Sequence, residues 1–126
     1  MQGLGKAFFT SALVYGVLGM LLGLHMGMSH DHGQMPTHAH IMVLGWLSFA
    51  VFGLFYSAHA HAVPRLLSQV HFWLAQLSFL ALVVGLWLVY SGRTEYEMVP
   101  AVSSTAYAVS FLLFAVVAIS AMRTRA

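Results

Sequence analysis

The 126-residue chain has no cysteine, five Lys+Arg and three Asp+Glu. Without thiols it forms no disulfide, zinc–thiolate site or iron–sulfur cluster. Charged residues make up 6% of it, where a soluble domain carries about a quarter. So few basic residues leave no stripe to track phosphates, and nucleic acid is excluded as a partner. What is present is apolar: 60% of the residues are hydrophobic. Eight histidines outnumber either charge class. The length suits one compact domain, residues 1–126, and not two.

A helix needs roughly 20 apolar residues to cross a bilayer. Four segments qualify, at residues 6–28, 36–58, 69–90 and 99–122. They are separated by the polar stretch SHDHGQMP, by HAHAVPRLLS with Pro64 and Arg65, and by SGRTEYEMVP with both glutamates. The expected fold is all-α, a four-helix transmembrane bundle. The first span follows a short basic start, as a signal peptide does. Its apolar run is too long for one and no small-x-small cleavage site follows, so it reads as a retained helix.

Lys6, Arg65, Arg123 and Arg125 fall on one side of such a bundle, and Asp31, Arg93, Glu95 and Glu97 on the other. Positive charge collects on the cytoplasmic side. Both termini are therefore expected inside, as in a multi-pass protein of a bacterial inner membrane. His25, His30, His32, His38 and His40 then lie toward the outer, periplasmic face. Gly19, Gly23 and Gly27 form a stripe on the first helix, which reads first as a packing face for another helix.

The stretch PTHAHIMVLGW puts His38 and His40 at the threshold of the second span. Ionisable residues in a membrane span are functional candidates by default. Successive helical residues turn by about 100°, so these two histidines face opposite sides of one helix at nearly one depth. They do not grip one small ion together, but each can donate to a different planar cofactor or neighbour. On a regular helix Gly45 lies about 10 Å below His38 on nearly the same azimuth, where a macrocycle can rest against backbone. Leu44, Leu47, Val51 and Leu54 continue the His40 face as an apolar wall. His25, near the outer end of the first helix, is the third candidate ligand.

His71, His59 and His61 read instead as interface anchors, and His30 and His32 as residues of a solvated loop. Imidazole suits iron, copper and zinc, whereas Met thioethers favour copper(I). The segment HMGMSHDHGQM, with Met26, Met28 and Met35 among its histidines, is thus an alternative copper-binding loop. A histidine pair beside a glycine and many aromatics suits haem, which needs only axial imidazoles from the protein.

The run THAHIMVLGWLSFAVFGLFYSAHAHAVPRL, followed by VHFWLAQLSFLALVVGLWL, resembles subunit I of the haem–copper oxidase superfamily. The cbb-type oxidases and nitric oxide reductases are the nearest likeness. The features that carry it are His38 and His40, Gly45-Trp46, Phe52-Gly53, Tyr56, Pro64-Arg65 and His71-Phe72-Trp73. In the family this helix is the second of a four-helix arc, three such arcs enclosing the haem sites. The resemblance implies that His38 and His40 are axial ligands of two haems on opposite helix faces. No HPxxY-like or His-His element is present to bind the family's copper, so a complete oxygen-reducing site is not expected. The expected function is a small b-type haem protein that transfers electrons through bis-histidine haem, an electron carrier more than an enzyme. Copper handling and diatomic-gas sensing are the alternatives. The resemblance also favours a homo-oligomer, a trimer before a dimer, working with an unidentified redox partner.

Overall fold

In the computed structural model, which describes residues 1–124, the chain is all-helical, with no strand among the described residues. Four helices are long and apolar enough to cross a membrane: α1 (Gly3–Ser29), α2 (Met35–Ala58), α3 (Arg65–Tyr90) and α4 (Met98–Arg123). A short 3-10 turn, Thr94–Tyr96, precedes α4. The sequence boundaries hold to within four residues. The largest shift is at α3, which starts at Arg65 and not at Gln69. Pro64, the residue just before the helix, is itself extended (φ −64°, ψ 119°) and lacks the N–H a helix start would leave unpaired. Arg125 lies outside the described residues.

Two close hairpins, α1/α2 and α3/α4, make up the bundle. In lipid there is no hydrophobic drive between helices, so small residues that let backbones meet decide which surfaces pair. A Cβ at Gly53 would sit 2.9 Å from the carbonyl oxygen of Gly5, and one at Gly85 would sit 2.7 Å from Pro100 Cδ. These glycines set the α1/α2 and α3/α4 crossings. The stripe on α1 packs in the same way: Gly19 lies under Ile41 and Met42, and Gly23 lies under His38. Only Gly27 of that stripe is open.

The hairpins join through aromatic rings. Phe49, Phe52 and Tyr56 of α2 meet Phe79 and His71 of α3, Phe8 and Tyr15 of α1, and Phe111 and Phe114 of α4. Phe8, Phe49, Phe52 and Phe79 are buried. Each good ring pair adds about 0.5–1.5 kcal/mol beyond simple burial. Outside this core, apolar side chains on all four helices are exposed, among them Leu21, Leu54, Leu77 and Leu112. That is the exterior of a multi-pass membrane protein.

The second helix is not regular. Its segment Ile41–Leu47, directly after His40, is π-helical, closed by hydrogen bonds five residues back instead of four. Two hydroxyls hold it from the side: Ser48 Oγ donates to the Val43 carbonyl and Tyr107 Oη to the Leu44 carbonyl, each at 2.8 Å.

Candidate functional site

The π-helical segment changes which residues share a face with His38. A wider turn moves the repeat toward four residues and more, so His38, Met42 and Trp46 line up against α1 at Gly23, Gly19 and Gly16. Gly45 is turned away from that line. A Cβ there would meet Phe79 of α3 at 2.5 Å and Tyr15 of α1 at 3.0 Å. The recess expected beside Gly45 is filled by the Phe79 ring, and Gly45 serves helix packing. The open apolar groove in the His38 column lies one step outward. It is a groove of about 190 Å³ lined by Leu13, Gly16, Val17, Met20, Met42 and Trp46.

His38 and His40 are both half-buried. The His38 imidazole lies on Gly23, and its Nδ1–H donates to the Gly19 carbonyl at 2.8 Å. The Nδ1–H of His40 donates to the Pro36 carbonyl, four residues back on its own helix, at 2.7 Å. A carbonyl only accepts, so each bond fixes the proton on Nδ1 and leaves Nε2 as a bare lone pair. Metal-ligating histidines are commonly held this way, with the second ring nitrogen donating to a carbonyl or carboxylate. Neither Nε2 is sealed in the core. Of the wall expected on the His40 face, Leu47, Val51 and Leu54 are exposed, whereas Leu44 packs against the core.

His25 is exposed on α1. Two residues from Gly23, it is rotated by about 200° from the face of α1 that packs on His38. It does not complete a pair with His38 within the chain. His30 ends α1 in a left-handed conformation (φ 55°), and Asp31 Oδ1 accepts from the Gly33 N–H at 3.0 Å to close the next turn. His30 and His32 are exposed, as expected of a loop. Of the methionines considered for copper, Met26 is buried while Met28 and Met35 are exposed. No group of three or more His, Asp or Glu side chains gathers as a metal site among the described residues.

Two polar clusters were not anticipated from the sequence. Near the His38 end, Gln34 Nε2 donates to the Trp87 carbonyl and to Ser91 Oγ, and its Oε1 accepts from the buried Thr37 hydroxyl at 2.6 Å. This ties the start of α2 to the end of α3. Within the bundle, Gln76 bonds to Tyr15 Oη and donates to Ser11 Oγ at 2.6 Å, joining α3 to α1.

His71, read as an interface anchor, is instead fully buried at 0% exposure. Its Nδ1 is 2.9 Å from Tyr56 Oη, and its Nε2 has no partner among the described residues. Phe8, Phe52 and Phe114 enclose it, with centroids 4.7–5.3 Å away. A signal was present: Ser68, His71, Ala75, Ser78, Phe79 and Leu82 recur every three or four residues along α3, and all are buried. Small and polar residues at that spacing mark a helix–helix face in lipid.

Compared with family models, curated proteins and solved structures, the chain matches none.

Proposed function

We propose that this protein is a small b-type haem protein of the membrane, passing electrons through haem iron held by His38 and His40. The observation that carries the reading is the shared geometry of these two residues. Each donates Nδ1–H to a backbone carbonyl, keeps Nε2 unprotonated and accessible, and lies at one end of a helix whose next two turns are π-helical. π-helical insertions are often found at functional sites. The resemblance of the second and third helices to subunit I of the haem–copper oxidases supports the same assignment. Bis-imidazole haem iron is six-coordinate and supplies one-electron redox chemistry without an open site for substrate.

His38 and His40 lie on opposite faces of α2, and His25 turns away from both. One chain therefore does not clamp one haem from both sides. Two chains do so when His38 of one faces His40 of the next. The exposed Leu47, Val51 and Leu54 and the groove beside Met42 and Trp46 would then cover the two faces of the macrocycle. Head-to-tail contacts must close on themselves, and three copies close into a twelve-helix ring with one haem per chain. A dimer is the rival arrangement. The glycine stripe of α1 does not make these contacts, since Gly19 and Gly23 already pack against α2. The basic residues orient both termini toward the cytoplasm and the haem toward the outer face of a bacterial inner membrane.

The test is the haem content and visible spectrum of single variants. His38→Ala and His40→Ala each lose haem or turn it high-spin, and His25→Ala keeps the wild-type spectrum. Wild-type haem content and spectra in both of the first two variants would overturn the assignment.

A further inference from the structure

At the opposite end of the bundle from His38, a cleft of about 380 Å³ opens between the start of α1, the turn after α2 and the start of α3. Leu4, Ala60 and Val63 give it an apolar wall, and Arg65 and Gln69 give it a polar rim. Charge sets the sign of what it can hold. The three side-chain carboxylates of the chain, Asp31, Glu95 and Glu97, all lie in the connections at the other end. The 26 residues of α3 alone separate the two ends by about 39 Å. Arg65 is exposed, and no carboxylate lines the cleft among the described residues. A guanidinium without a carboxylate partner is matched best by an oxyanion, which it grips through two parallel N–H bonds.

The backbone adds to the same field. Both α1, from Gly3, and α3, from Arg65, begin at this cleft, and neither start is capped by a hydrogen bond from a side chain. The first N–H groups of a helix have no partner within it and form the positive end of its dipole. Depth narrows the choice further. The cleft lies where the apolar spans end. One turn beyond Gln69 on α3, Trp73 is exposed, and Leu77 follows it one turn further in. An exposed tryptophan near the end of a span marks the headgroup level of a bilayer. A ligand with its anionic end in the cleft therefore has an apolar path running inward beside it.

We propose that this cleft holds the headgroup of an anionic phospholipid such as phosphatidylglycerol. The phosphodiester accepts from the Arg65 guanidinium, from the Gln69 amide and from free N–H groups at the helix starts. The glycerol backbone rests on Leu4 and Val63, and the acyl chains run inward along Trp73 and Leu77. A zwitterionic lipid carries the same phosphate, but its ammonium group finds no carboxylate here and meets Arg65 and two helix N-termini instead. The cleft thus selects for net negative charge. The site uses none of the histidines at the other end and stands whether or not haem binds there.

The experiment is native mass spectrometry of the purified protein in mild detergent, titrated with dioleoyl phosphatidylglycerol or dioleoyl phosphatidylcholine. Bound lipid is read from its own mass, whatever the haem content. The wild-type protein binds phosphatidylglycerol about tenfold more tightly than phosphatidylcholine, and Arg65→Gln abolishes that preference, in line with the loss of a hydrogen bond between charged groups. Ala60→Trp fills the cleft without changing its charge and weakens phosphatidylglycerol binding to a similar degree. Both positions are exposed, so the fold is spared. Arg123→Gln, at the same end of the bundle but outside the cleft, keeps the preference. Equal affinity for the two lipids overturns the proposal, as does wild-type behaviour in either Arg65→Gln or Ala60→Trp. A loss in Arg123→Gln equal to that in Arg65→Gln overturns it too, because diffuse surface charge would then account for the binding. So does displacement of the lipid by millimolar inorganic phosphate, which would make the cleft a site for free anions.

Discussion

The substitution Gly23→Ala changes no ligand, yet it bears directly on the haem assignment. The new Cβ would lie 2.8 Å from His38 Cε1 and 3.3 Å from its Nδ1. Ordinary carbon contacts are about 3.5 Å or longer, so the ring must retreat by roughly 0.7 Å. The Nδ1–H bond to the Gly19 carbonyl, now 2.8 Å, then stretches past the useful limit of about 3.2 Å. Losing that bond costs about 1 kcal/mol and releases the tautomer that leaves Nε2 bare. Second-sphere losses of this kind typically weaken a metal site about 10- to 100-fold. We expect haem affinity to fall about tenfold, read from the Soret absorbance as haem is titrated into the apo-protein. The control is Gly27→Ala, one turn along the same helix, where the new Cβ meets nothing within 4 Å. Alanine is the better helix former by about 1 kcal/mol, so neither variant suffers from propensity. Unchanged haem binding in Gly23→Ala would refute the idea that α1 positions His38 for ligation. An equal loss in Gly27→Ala would place the effect elsewhere.

Three further outcomes follow from the same geometry. His71→Ala keeps the haem spectrum but loses about 2–4 kcal/mol of stability in a denaturant titration, because it empties a caged site and strips Tyr56 of its partner. Tyr107→Phe costs about 1–3 kcal/mol in the same titration, since the Leu44 carbonyl of the π-helical segment is left unpaired. Native mass spectrometry in mild detergent shows haem only in species of two or more chains, with three favoured; a haem-loaded monomer would rule out ligation between chains.

The four spans were legible because lipid imposes a length of apolar sequence that no other constraint imitates. Their ends moved where local chemistry outweighed hydropathy, as at Pro64, which starts α3 four residues earlier than its apolar run suggests. The placement of His38 at the threshold of α2 was equally legible. The face it shares was not. A 100° step per residue puts Gly45 beneath His38, but the π-helical turns of Ile41–Leu47 carry Trp46 into that line and hand Gly45 to Phe79. Nothing in IMVLGWL marks that turn in advance. Its supports, Ser48 and Tyr107, are ordinary hydroxyls whose roles depend on the packed bundle. His71 is the opposite case. The stripe of small and polar residues on α3 already pointed inward, and reading the histidine alone obscured it. Its partner Tyr56 is 15 residues away on another helix, a pairing that only the packed bundle brings together.

The most direct test of the central claim is the visible spectrum of the purified protein, reduced with dithionite, before and after carbon monoxide. The account predicts a red protein with a Soret band and sharp low-spin bands that carbon monoxide hardly changes, because imidazoles occupy both axial positions. A colourless protein after expression with ample haem precursor would contradict it. So would a reduced spectrum that shifts fully to a carbon monoxide adduct, which would show an open coordination site in place of the second histidine.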